Sequence, residues 1–264
     1  MITMDDKYRF EDFGFYCEPG NEDPLMPSFE RKTLAIPGRL GSWDFGVEIG
    51  EKPFSYPLKV IERYHTQMQR YFNEFVAFLL DPFGKPREIK IVRDYEPDKH
   101  YMVKVSASIL PERLEEEGAF ILGFIASDPL KYGNVENHEI NWDSETVTFD
   151  DSYSIDTVYV DGMLITSSQT VETTVNGYAM TPTILISGSG EDVVIEANGK
   201  SLSLGSFTNS EIVVNGKSFT IFKDGIEEFI NGDIPDLLPG RNQVNISGSN
   251  LNFNLSLRVR DQYM

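Results

Sequence analysis

The stretch from Ile61 to Lys131 constrains this chain more than any other. Apolar residues at Ile61, Tyr64, Met68, Tyr71, Phe72, Phe75, Val76 and Leu79 recur three or four positions apart, which places them on one face of a helix. Asp81-Pro82 ends that pattern, because proline has no amide hydrogen and drives the residue before it out of the helical region. Three strand-like runs follow, Arg87 to Val92, His100 to Ile109 and Gly118 to Ser127, separated by the breakers Glu96-Pro97-Asp98 and Pro111-Glu112. A helix of about 20 residues is roughly 30 Å long. Its wide aromatic face needs a large apolar partner, and an antiparallel sheet built on these strands supplies one.

On the N-terminal side, residues 1–35 read as an irregular or short-stranded arm. Tyr8, Phe10, Phe13, Phe15 and Tyr16 are too aromatic for a disordered tail, and Pro19-Gly20, Pro24 and Pro27 forbid long regular elements. These residues are expected to pack on the first domain. From Ile36 to Pro57, glycines alternate with Trp43, Phe45, Val47 and Ile49, the pattern of short strands or an extended hairpin. After Tyr132 the grammar changes. Strand-like runs fall at Glu145 to Phe149, Thr157 to Val160, Met163 to Ser167, Thr183 to Ser187, Asp192 to Ala197, Glu211 to Val214, Ser218 to Phe222, Gln243 to Ser247 and Leu251 to Val259. Asp161-Gly162, Asn198-Gly199 and Asn215-Gly216 are turn signals, since these residues tolerate positive φ. Short strands at regular spacing predict a β-sandwich or jelly roll. The chain is therefore expected to be mainly β with one long helix (α+β), in two domains, 1–132 and 133–264, with the boundary near Tyr132 to Asn141.

This order of features resembles the distal tail protein family, often called Dit, of long-tailed phages (siphophages) infecting Gram-positive bacteria. The resemblance rests on Leu79-Leu80-Asp81-Pro82-Phe83-Gly84-Lys85-Pro86-Arg87, the Glu96 to Tyr101 turn into a strand, and the ending Phe124 to Tyr132. Ile36-Pro37-Gly38-Arg39-Leu40-Gly41 upstream and Leu237-Leu238-Pro239-Gly240-Arg241-Asn242 downstream agree with it. The resemblance implies an N-terminal ring-forming, tail-tube-like β domain with a packed helix and a C-terminal galectin-like β-sandwich. It further implies a homo-hexameric ring that stacks on the tail tube protein, holds receptor-binding or baseplate proteins, and leaves a channel for DNA. Such a protein is found at the virion tail tip and in the host cytoplasm during assembly. In this family an arm like Ile36 to Tyr56 reaches the neighbouring subunit, so Ile36, Arg39, Trp43 and Phe45 are interface candidates; the pattern alone is equally consistent with packing inside their own domain.

Composition excludes several function classes. Net charge is −19, and residues 133–264 carry 6 Lys+Arg against 19 Asp+Glu. Nucleic-acid grips need clustered cations that release counterions, so specific binding is not expected, and a channel lining without such clusters would let DNA slide past. The single Cys17 cannot form an internal disulfide. No run of 18 apolar residues predicts membrane insertion, and Met1 to Phe10 does not read as a secretory leader; a soluble protein made in a cytoplasm is expected. His65, His100 and His138 lack partners at zinc-motif spacing, and no calcium loop occurs, so no metal or cofactor is expected. Ser187-Gly188-Ser189-Gly190 lacks the spacing of a nucleophile elbow and reads as a hairpin. The runs Asp150-Asp151, Glu227-Glu228 and Glu115-Glu116-Glu117 cannot flank one glycosidic bond, because neighbours on a strand point to opposite faces. No enzyme activity is expected. The alternative function is a cell-wall carbohydrate-binding module: Trp142, Tyr153, Tyr159, Tyr178, Phe207, Phe219, Phe222, Phe229 and Phe253 could stack sugar rings, although most of them lie in apolar strand patterns that read as core.

Overall fold

The structure, a computed structural model, describes residues 1–140, 147, 157–229 and 231–264. The predicted strand Glu145 to Phe149, together with Trp142, Asp150-Asp151 and Tyr153, lies outside the described residues, except for Val147. The chain divides into two compact units, Met1–Lys131 and Tyr132–Tyr263.

In the first unit the strands are β1 (Ile2–Met4), β2 (Tyr16–Cys17), β3 (Phe29–Ala35), β4 (Ser42–Ile49), β5 (Lys52–Ile61), β6 (Ile89–Arg93), β7 (Glu96–Val105), β8 (Glu112–Arg113) and β9 (Glu117–Ala126). Helix α1 spans His65–Leu79. Strand order is β1-β6-β7-β9-β5-β2, with β3 and β4 forming a separate two-stranded ribbon. β5 and β9 pair antiparallel along their whole length, from Lys52 opposite Ala126 to Ile61 opposite Glu117. Alternation along this ladder turns Phe54, Tyr56, Leu58 and Val60, with Phe120, Leu122 and Phe124, to one buried face.

The helix lies on that face and is shorter than its periodicity predicts. Its 15 residues span about 22 Å. Ile61 belongs to β5 and Tyr64 precedes the helix; both are exposed, because the β5–β9 ladder claims the chain up to Ile61. Met68, Phe72, Phe75 and Leu79 are buried as expected. At Gly118 a Cβ would stand 3.1 Å from Phe72 and 3.2 Å from Met68, so the absence of a side chain there lets the helix press onto β9. The N-terminal aromatics close the core: Phe15 stacks at 5.1 Å on Phe75 and 5.2 Å on Phe120, and Phe13 at 4.9 Å on Phe78. Beyond the helix, the Asp81 carboxylate accepts the Phe83 and Lys85 amides, both at 2.8 Å, and Arg87 Nε donates to the Phe78 carbonyl at 2.6 Å. Glu96-Pro97-Asp98, read as a breaker, lies inside β7; the turn is Asp94-Tyr95, and a bulge between Val92 and Arg93 absorbs the irregularity.

A short strand, β10 (Lys131–Gly133), stands at the unit boundary. The second unit then contains β11 (Val160–Ile165), β12 (Gln169–Val175), β13 (Thr183–Ala197), β14 (Lys200–Asn215), β15 (Thr220–Lys223), β16 (Ile226–Glu228), β17 (Asn231–Gly232), β18 (Gly240–Arg258) and β19 (Gln262–Tyr263). The main order is β11-β18-β13-β14-β15-β16, with β12 also on β18 and β17 on β14. Several runs predicted as separate short strands are halves of one long strand. β18 buries Val244 and Ile246, then Leu251, Phe253, Leu255 and Leu257, so the inward phase slips by one residue around Gly248. β13 slips likewise, from Ile184 and Ile186 to Val193 and Ile195. Ser187-Gly188-Ser189-Gly190 sits at that slip as a bulge within the strand, not as a hairpin. Asp161-Gly162 is also a bulge, inside β11. Asn198-Gly199 is the tight hairpin expected, with φ of 50° and 81°. After Asn215-Gly216 the loop runs on to Phe219, and it is Phe219 that takes positive φ.

Candidate functional site

The β3–β4 ribbon is the feature of the first unit that its own core does not explain. Every residue from Ser28 to Ile49 is exposed, including Phe29, Leu34, Trp43, Phe45, Val47 and Ile49. A two-stranded hairpin has nothing to bury its side chains against and is marginally stable alone. Cross-strand pairing puts Phe29 opposite Ile49, Arg31 opposite Val47 and Leu34 opposite Trp43, so apolar groups stand on both faces. Ion pairs stiffen it: Arg31 to Asp44 at 3.0 Å, and Lys32 to Glu48. The Gly46 amide and the Arg31 guanidinium, both bonded to the Asp44 carboxylate, hold its pKa below the ordinary value.

Of the four interface candidates, Trp43 and Phe45 lie on β4, and Ile36 and Arg39 lie in the loop between the strands. Arg39 donates its amide to the Ile36 carbonyl at 3.1 Å, and its guanidinium sits 4.2 Å from the centroid of the Trp43 ring. Residues 29–35, expected to pack on the first domain, instead belong to the exposed ribbon. The Trp43 and Phe45 side chains are exposed and take no part in the core of their own unit.

Where the ribbon's chain rejoins the sheet, a buried charged cluster appears that sequence reading missed. Lys52, the first residue of β5, is 1% exposed. Its Nζ donates to the Tyr101 hydroxyl at 2.8 Å and reaches the Leu25 carbonyl at 3.5 Å. Arg93, also buried, pairs with Asp23 and lies 3.8 Å from Glu96, which binds Lys131 at 2.7 Å and Lys99 at 3.3 Å. Burial, reinforced by the Arg93 charge, pulls the Lys52 pKa down to about 8. The cluster ties residues 23–25, just before the ribbon, to the sheet. The strict alternation of β5 was the one available signal, since it turns Lys52 to the same face as Phe54 and Tyr56.

Among the described residues no group of three His, Cys, Asp or Glu could hold a metal ion. His65 starts the helix, His100 lies buried in β7, and His138 sits 3.6 Å from Glu136 in a short turn. Glu227 and Glu228 are exposed on β16, and Glu117 is engaged by Lys59 at 2.7 Å. No described helix is long and apolar enough to cross a membrane. The aromatic residues of the second unit divide differently from the expectation. Phe207 and Phe253 are core, whereas Tyr159, Tyr178, Phe219 and Phe229 are exposed.

Comparison with known proteins agrees with this architecture. Residues 8–126 match the phage tail protein RIFT-related domain. The whole chain superposes on the Dit protein of phage SPP1, described as a paradigm of the hub adsorption apparatus in Gram-positive infecting phages. That match has a TM-score of 0.70 and 17% identity, and it covers 100% of both chains, so the shared property is the fold. The phage P2 baseplate in its activated conformation, with Ca or with Sr, is more distant, with a TM-score of 0.41 at 7% and 8% identity and coverage of 97% of this chain and 94% of the other. No curated protein matches the sequence.

Proposed function

From a chain that carries a phage tail protein RIFT-related domain and has the fold of the distal tail proteins, we propose a structural component of the phage tail tip: a hexameric ring hub joining the tail tube protein to baseplate or receptor-binding proteins around a channel for DNA. The observation that carries the ring is the β3–β4 ribbon, whose apolar faces have no partner within the described residues of its own unit. A ribbon of this kind on a single-chain hub finds its cover on a second copy. A head-to-tail contact repeated by rotation closes into a ring. Ile36, Arg39, Trp43 and Phe45 are the proposed contacts, with the Arg39–Trp43 stack as a preformed anchor of the type that dominates interface energetics. The second unit, read as a galectin-like sandwich, is the proposed outward platform for receptor-binding proteins. No catalytic step belongs to this reading.

Light scattering of the purified protein across a concentration series tests it. A discrete species of about six or twelve subunits is expected, and replacing residues 29–49 by a short Gly-Ser linker should leave a folded monomer. Trp43→Ala should weaken the assembly at least tenfold in concentration, about 1.4 kcal/mol or more. A wild-type monomer at every concentration, with or without added tail tube protein, would reject the ring; an intact ring without the ribbon would reject these contacts.

A further inference from the structure

The sheet of the first unit carries a groove on the side away from its core. Pro57 of β5 stands opposite Ile121 of β9, and because Leu58, Phe120 and Leu122 turn inward, Pro57, Ala119 and Ile121 turn outward and form a floor. β2 pairs with β5 at Leu58, and β8 pairs with β9 at Ala119, so this floor lies between two short strands set three strand spacings, roughly 14 Å, apart. Glu18, whose amide binds the Pro57 carbonyl at 2.9 Å, lines one side, and Leu110 and Glu112 line the other. The groove holds about 450 Å³.

Its floor is apolar and its sides carry carboxylates. Ile121 is 67% exposed and Leu110 78%, so apolar surface is left open to water on a sheet whose other face is core. Glu112 is exposed, and its carboxylate has no hydrogen bond or ion pair among the described residues. The Glu18 carboxylate only approaches Lys59, at 3.8 Å, while Lys59 holds Glu117 at 2.7 Å. An occupant complementary to this surface is apolar and brings a cation.

The ribbon ends in a loop of that chemistry. Between β3 and β4, Ile36-Pro37-Gly38-Arg39-Leu40-Gly41 holds a single charge, Arg39. Gly38 and Gly41 take φ of 84° and 81°, which turns the chain around Arg39 and Leu40 and puts them at the tip. Leu40 is 100% exposed, and the Arg39 guanidinium has the Trp43 ring on its face but no carboxylate among the described residues. Stacking uses the flat face of a guanidinium and leaves its N–H edge free for a carboxylate. Another apolar groove of the first unit, about 470 Å³ around Val76, Leu79, Leu80 and Pro86, is lined by no charged residue and gives Arg39 nothing to pair with. Within one chain the tip and the acidic groove are both bare, so the tip that fills the groove comes from a second copy.

We propose that the ribbon tip of one copy seats in this groove of the next, with Leu40 on Pro57, Ala119 and Ile121 and the Arg39 guanidinium on Glu112. The inference rests on the ring reading and adds to it the receiving surface. Tip and groove are different patches of one chain, so each copy gives one and receives one, a head-to-tail contact that rotation can close. Glu18 on the far side adds to the negative potential that draws the tip in.

Charge reversal at both ends of the contact tests it, read by light scattering of the full chain over a concentration series. Arg39→Glu and Glu112→Arg, both at exposed positions, should each raise the concentration at which half the assembly forms about tenfold or more, and the double variant should return to within about threefold of the wild type. The losses in the single variants should shrink with added salt. A second measurement does not depend on charge. In a Cys17→Ser background, Leu40→Cys combined with Leu110→Cys should give, on mild oxidation, a ladder of disulfide-linked copies up to the size of the ring, whereas Leu40→Cys combined with Val76→Cys should give none. An assembled wild type whose charge reversals have no effect or do not compensate would overturn the groove and leave the ring standing. So would a ladder through Val76 in place of Leu110, which moves the tip to the uncharged groove. A wild type that stays monomeric at every concentration, with or without tail tube protein, would remove both.

Discussion

Lys52 shows how one residue records the cost of anchoring the ribbon. An ammonium at 1% exposure loses its hydration, and the Arg93 charge beside it adds repulsion, so its pKa falls from 10.5 to about 8. The sign of the stability effect follows. Between pH 8 and 10.5 the folded protein releases this proton while the unfolded chain keeps it, so stability from this group rises with pH. Burial raises the Tyr101 pKa to about 12 and moves Tyr56 in the same direction, so both work against stability once the unfolded tyrosines ionise above pH 10. The window is therefore pH 8 to 10. Urea unfolding midpoints should climb across it in the wild type and not climb in Lys52→Met, which keeps the apolar stem and removes the charge, because the partly buried Cys17 thiol, its pKa raised, pulls the other way once the unfolded thiol ionises near pH 9. A parallel climb in both proteins would mean that another group carries the effect. The sequence hinted at this residue only through alternation, because lysine at an inward position of a strand usually marks an edge rather than a core.

At the scale of elements, legibility follows periodicity. The helix core of Met68, Phe72, Phe75 and Leu79 is readable because four side chains repeat a single geometric period. The N-terminal limit of the helix is not, because the strand ladder at Ile61 competes for the same apolar residue. The long strands of the second unit are readable only in halves. A one-residue phase slip at Gly188 and Gly248 cancels the alternation that identifies a strand, and glycine beside serine imitates a turn. Gln169–Val175 is absent from the predicted strands, although Val171, Thr173 and Val175 alternate inward, because five of its seven residues are polar. The bulge makes a specific prediction. Gly188 holds φ at +143°, and a Cβ there would stand 2.4 Å from the Asn252 carbonyl and 2.6 Å from the Phe253 Cα. Gly188→Ala should destabilise the unit by about 2–3 kcal/mol, visible as a lowered urea midpoint. Loss of less than 0.5 kcal/mol would mean that the two strands slide apart freely at the bulge.

For the whole molecule, the two units have separate cores, one built on Phe75, Phe120 and Phe124 and the other on Ile186, Ile195 and Phe253. The ribbon belongs to the first. Two units with separate cores should be separable by cutting the chain between them. A fragment of residues 1–131 retains the ribbon and should assemble to the same stoichiometry as the full chain, since its contacts lie within that unit. A fragment of residues 132–264 should fold as a monomer. Light scattering reads both outcomes. A monomeric first fragment beside an assembled full chain would move the ring contacts to the second unit. Charge separates the halves in the same sense, since the second unit, at 6 basic against 19 acidic side chains, repels copies of itself. Self-association is therefore expected to concentrate in the unit whose charges are nearer balance.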